Sequence, residues 1–119
     1  MHTVKIIKNI DKLHPISIRV PKNLRDDLLR LSKKNRRSLS SFCRITLEDN
    51  YLLFGKNHRY DKLHYKNENL VPLSFTLSDK TKEDILSHIM SFNRHGYNAV
   101  VFSLFVRKVL SDSLKVSKL

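Results

Sequence analysis

Two short stretches of the chain alternate apolar and polar residues: Pro15-Ile16-Ser17-Ile18-Arg19-Val20 and Pro72-Leu73-Ser74-Phe75-Thr76-Leu77. They align at an offset of 57 residues (15 to 72). A period of two with β-branched and aromatic residues predicts a short strand with one buried face in each place. Ile16, Ile18 and Val20 then face inward with Leu73, Phe75 and Leu77, and the pleat sends Ser17, Arg19, Ser74 and Thr76 to the opposite face.

The period changes after each strand. Leu24, Leu28 and Leu31 recur at i, i+4 and i+7, with Arg25, Asp26, Asp27 and Arg30 turned away. This predicts a helix over about residues 22 to 34. Ile85, Ile89 and Phe92 repeat the spacing behind Ser78, a good N-cap followed by first-turn acids. The second helix of this kind is expected over about residues 79 to 94. Polar turns come next, Asn35-Arg36-Arg37-Ser38 and Arg94-His95-Gly96-Tyr97-Asn98, and each leads into a further helix. The one starting at Ser38 opens with clustered N-cap residues. The one from Ala99 to Leu110 is apolar around most of its circumference, which requires burial by more than one neighbour. A half of ~60 residues folds alone only marginally, because it buries too little surface, so the two halves are expected to share a core.

Charge changes the picture from a fold to a partner. The 119 residues hold 23 Lys and Arg against 11 Asp and Glu, a formal +12. A surplus of that size points to a polyanion, with nucleic acid first and an anionic membrane surface second. Residues 1–55 carry 12 basic and 5 acidic side chains, net +7, so the first half is the expected main electrostatic contact. The single cysteine, Cys43, leaves no intramolecular disulfide or thiolate cluster and favours a reducing compartment. No apolar run approaches a membrane span and no signal peptide is recognisable, so a cytoplasmic protein is expected.

The domain organisation follows from these patterns. Residues 1–14 read as a basic arm, with Val4 and Ile6 as alternative material for a short extra strand. Residues 15–54 form the first β-α-α unit and residues 71–119 the second. Residues 55–70, GKNHRYDKLHYKNENL, form a polar basic linker that at ~3.3 Å per residue spans up to ~50 Å.

Strand, helix, polar turn and helix in this order resemble the ribbon-helix-helix (Arc/MetJ-like) family of DNA-binding proteins. The residues that carry the likeness are Ile16-Ser17-Ile18-Arg19-Val20-Pro21 with Leu24, Leu28 and Leu31, then Arg37-Ser38-Leu39-Ser40-Ser41-Phe42-Cys43-Arg44. The second half is looser: Gly96-Tyr97-Asn98 falls at the family's turn, and Phe105-Val106-Arg107 matches Phe42-Cys43-Arg44 at an offset of 63 rather than 57. About six extra residues therefore sit around the second turn. The resemblance implies a mainly α fold with a short two-stranded antiparallel ribbon that enters the major groove. The two units would pack as a pseudo-dimer, within one chain or exchanged between two. TraY-type relaxosome proteins of conjugative plasmids are similar in carrying tandem units.

The implied chemistry is base reading by Ser17, Arg19, Ser74 and Thr76, with Arg19 suited to guanine and the hydroxyls less selective. One arginine and three hydroxyls make an asymmetric reader. Phosphate contacts are expected from Arg36 and Arg37, and from Ser38 and Ser40 at a helix N-terminus, where serine also serves as a plain cap. Asn98 holds the corresponding place in the second unit, and Lys5, Lys8 and Lys22 add sequence-independent attraction. Arg44 and Arg107 recur within apolar helices and are expected to tie structure together. Tyr60 and Tyr65 interleave with basic residues in the linker, a pattern for packing or for stacking on unpaired bases. The six histidines form no HExxH or Cys/His spacing, and no glycine-rich phosphate loop occurs. No metal, cofactor or enzymatic activity is therefore expected.

The expected function is sequence-specific duplex DNA binding for transcriptional repression in a small mobile or viral genome. A relaxosome or partition accessory role uses the same ribbon physics. An antitoxin-like interaction module and a single-strand binder are the alternatives from other classes. The acting unit is one chain or a homodimer, with cooperative assembly on adjacent sites open.

Overall fold

A computed structural model of the chain describes residues 12–55, 69–93 and 99–117. Over these residues the protein is mainly helical, with one two-stranded antiparallel sheet and four helices. The order is β1 (Leu13–Pro21), α1 (Lys22–Lys34), α2 (Leu39–Asn50), β2 (Leu70–Ser78), α3 (Asp79–Phe92) and α4 (Ala99–Ser117).

The ribbon pairs Leu13 with Ser78 at one end and Pro21 with Leu70 at the other, with Ser17 opposite Ser74 at its centre. Since 17 + 57 = 74, this register is the one that a local two-fold axis between the two serines would give. Alternation sets the faces as the sequence predicts: Ile18, Val20, Leu73, Phe75 and Leu77 are buried, and Ile16 is half-buried. All three prolines fall on one alternate set of positions, opposite Thr76, Leu70 and Arg19. At these positions the backbone points away from the partner strand: the Thr76 N–H donates to the Ser40 side chain, and the Arg19 carbonyl accepts from Arg107. A residue without an N–H costs no ladder bond there.

Both strands are longer than the alternation alone indicates. Leu13 and His14 leave the expected arm, and Leu70 leaves the expected linker, because each finds a partner across the ribbon. The extra-strand reading of Val4 and Ile6 and the linker tyrosines lie outside the described residues.

Each strand runs into its helix without a loop, at Pro21–Lys22 and at Ser78–Asp79. Residues 57 apart thus correspond through both helices, and the buried Leu28 and Ser32 match Ile85 and Ile89. The repeated leucine spacing of the sequence is therefore displaced by one turn between the halves. Ser78 caps α3 by accepting from the Thr81 N–H at 3.1 Å. α1 has no side-chain cap but ends on Lys33 and Lys34, which suit the negative end of its dipole. Its exit is a Schellman turn. Arg36 takes φ 57, its N–H donates to the Lys33 carbonyl at 3.0 Å, and the Arg37 N–H donates to the Ser32 carbonyl at 2.9 Å. An arginine where glycine is usual costs about 1 kcal/mol of backbone strain.

α3 stops at Phe92, two residues before the expected end, while α4 runs seven residues past Leu110. The added turns hold because Leu110 and Leu114 are buried one turn apart, and Asp112 pairs with Lys108 at 3.2 Å. α4 buries Val101, Phe102, Leu104, Phe105, Val106, Val109 and Leu110, which meets the requirement for several neighbours. It packs on α2, β1 and α3, while α2 packs on β2 and α1. A helix from each half thus lies on the strand of the other, and one hydrophobic cluster serves both.

Candidate nucleic-acid interface

The ribbon's outer face is where the alternation leaves polar groups. Ser17, Arg19 and Ser74 are exposed there, flanked by exposed Pro15 and Pro72. The two serines stand opposite each other with their hydroxyls 3.4 Å apart. Arg19 is the one arginine on this face, and its Nη2 donates to the Leu70 carbonyl at 2.8 Å across the ribbon. That bond is exposed, so exchange for another acceptor costs little net free energy.

Thr76 is placed differently. It is half-buried, its N–H donates to Ser40 Oγ at 3.0 Å, and its Oγ1 lies 3.3 Å from the same oxygen. Arg44 Nη1 also donates to Thr76 Oγ1 at 3.4 Å. Thr76 and Ser40 are therefore engaged with each other. The reason is that the first turn of α2 covers this edge of β2, which strand alternation cannot reveal. Their bonds dock the α2 N-terminus against the ribbon.

Ser38 is the N-cap of α2, accepting from the Ser41 N–H at 3.0 Å, and it remains exposed beside exposed Arg36 and Arg37. Arg36 and Arg37 thus precede, in the chain, a helix N-terminus that Ser40 docks on the ribbon edge. Such a terminus attracts anions through its free N–H groups and its dipole. Lys22 is exposed and sits 2.8 Å from Asp26. Lys5, Lys8 and Asn98 lie outside the described residues.

Arg44 and Arg107 complete the frame. Arg107, buried in α4, donates to the Arg19 carbonyl, and Arg44 in α2 reaches Thr76. Because 19 + 57 = 76 and 44 + 63 = 107, each arginine holds the matched residue of the opposite strand. Their recurrence was the signal in the sequence; the cross-strand target was not. Cys43 is fully buried, and burial pushes its thiol from 9.0 up to about 12. It stays protonated at neutral pH and is a poor nucleophile.

No cluster of His, Cys, Asp and Glu suited to a metal ion occurs among the described residues. None of their helices is long and apolar enough to cross a membrane. Compared with family models, curated proteins and solved structures, the chain matches none.

Proposed function

We propose that the chain is a sequence-specific duplex-DNA-binding protein, two ribbon-helix-helix units in one chain, that reads the major groove with its β-ribbon and represses transcription where it binds. The observation that carries this reading is the outer ribbon face. Ser17, Arg19 and Ser74 stand exposed on a ribbon whose two strands come from one chain, with the α2 N-terminus docked at its edge. Arg19 leaves the Leu70 carbonyl and pairs with guanine O6 and N7, while the serines accept or donate to neighbouring bases. Ser38, Arg36 and Arg37 hold a flanking phosphate. Ser40 and Thr76 serve as the tie that sets the distance between phosphate grip and base reader. The surplus of +12 supplies the sequence-independent attraction. The protein acts on cytoplasmic DNA, in keeping with a single buried free thiol.

Because Arg19 has Thr76 at its matched position, the reading face is polar along the groove, and the preferred site has unlike halves. Selection from a random duplex library at roughly physiological salt, followed by sequencing, tests the reading. An enriched, non-palindromic motif is expected; a library recovered without sequence bias would refute it. The location of that motif in the source genome, at a promoter or beside a transfer or replication origin, separates repression from an accessory role.

A further inference from the structure

Phe42 in α2 and Phe105 in α4 hold matched positions, 63 residues apart, yet their surroundings differ. Around Phe105 the space beneath α3 is filled with rings. The His88 ring centre lies 5.9 Å from that of Phe105 and the Phe92 ring centre 5.7 Å, while Tyr51 meets His88 edge-on at 5.7 Å. The positions that correspond to these three rings in the first half are Leu31 for His88 (88 − 57), Asn35 for Phe92 (92 − 57) and Leu114 for Tyr51 (51 + 63). Two leucines and an asparagine thus stand where the other half has three rings.

A half-open cavity of about 490 Å³ has Leu31, Asn35, Phe42 and Leu114 in its lining. Ile45 and Phe54 extend the apolar wall. Lys34 and Arg37 also line it against a single carboxylate, Asp49, so its charge is net positive. A volume of this size lies within the ~300–1,000 Å³ typical of small-molecule sites, and the wall is mixed, with Thr46, Asn50 and Ser113 standing among the apolar side chains.

We propose that this cavity binds a small aromatic acid: a ring that takes the place of the missing side chains and an anionic group that meets Lys34 and Arg37. The ring packs against Phe42 as Phe92 and His88 pack against Phe105, where offset and edge-on contacts are favoured. The carboxylate gains charge-assisted hydrogen bonds from the guanidinium and ammonium groups. The lining contains none of the base-reading residues Ser17, Arg19 and Ser74 but shares Arg37 with the proposed phosphate grip; the test uses the protein without DNA.

The test is amide chemical-shift mapping on the full chain with phenylacetate, and with phenethylamine as a cation of similar shape. Saturable shifts are expected at Phe42, Thr46 and Leu114, with phenylacetate bound about tenfold or more tightly than the amine, the worth of one modest ion pair. Two variants copy the filled half: Asn35→Phe reproduces Phe92, and Leu114→Tyr reproduces Tyr51. Either one that folds is expected to weaken phenylacetate binding by about tenfold or more. Absence of saturable shifts, equal binding of acid and amine, or undiminished binding by the folded variants would overturn the proposal.

Discussion

Truncating the two matched phenylalanines, Phe105→Ala and Phe42→Ala, should cost very different amounts. Phe105 is fully buried and touches two rings. Removing a buried Phe side chain costs about 3–5 kcal/mol in lost transfer energy and residual cavity. The lost ring contacts, each of order 0.5–1.5 kcal/mol, place Phe105 toward the upper end. Phe42 is half-buried and borders a cavity already open to solvent. Its truncation forfeits roughly half the burial and seals no new void, so about 1–2 kcal/mol is expected. At about 3–5 °C per kcal/mol for a chain of this size, Phe105→Ala lowers Tm by about 12–25 °C and Phe42→Ala by about 3–10 °C. Urea unfolding followed by circular dichroism measures both, with unchanged m-values as the check that only stability moved. Phe105→Leu and Phe42→Leu keep the comparison available if the alanine variant of Phe105 does not fold. Equal losses, or a larger loss at Phe42, would refute the unequal surroundings of the two matched rings and the open cavity with them.

Three further outcomes follow from the same geometry. Arg19→Ala is expected to remove ~1–3 kcal/mol of discrimination at one base pair. Equal losses on the selected and scrambled duplexes in fluorescence anisotropy would show that it reads no base. Arg37→Ala should weaken both duplexes alike and reduce the log–log salt slope by about 1, whereas an unchanged slope would remove it from the phosphate contacts. The buried Cys43 thiol keeps its proton up to about pH 12, while in the unfolded chain it ionises from about pH 9.0. Its contribution to stability is therefore complete below pH 9 and is lost as pH rises toward 12. Relative to Cys43→Ala, the native chain should lose about 1.4 kcal/mol more per pH unit in that window. Parallel curves would contradict the burial.

Much of the fold was legible because it depends on local period. Alternation around Ser17 and Ser74 predicted two strands and their inward faces, while their antiparallel pairing came from the family resemblance, and the all-round apolar run from Ala99 predicted a helix buried on several sides. Strand ends were not legible. Leu13, His14 and Leu70 join the ribbon only through partners more than 48 residues away in the chain, which no local pattern records. Of the candidate base readers, Ser17, Arg19 and Ser74 stand on the exposed face. Thr76 shares their alternation but is covered by α2, because alternation distinguishes the faces of a strand and not its edges. The recurrence of Arg44 at Arg107 signalled a structural role, and its target emerged only once the antiparallel register crossed the halves. The cavity was hidden for a related reason: the matched positions, Leu31 with His88 and Asn35 with Phe92, become comparable only when both helices are seen to start at once after their strands.

Amide shift mapping with the selected duplex and with a scrambled one tests whether the outer ribbon face reads duplex DNA. The largest sequence-dependent changes are expected at residues 15–19 and 72–76, with changes at residues 36–38 common to both duplexes. Sequence-dependent changes confined to α3 and α4, with Ser17, Arg19 and Ser74 unmoved, would contradict it.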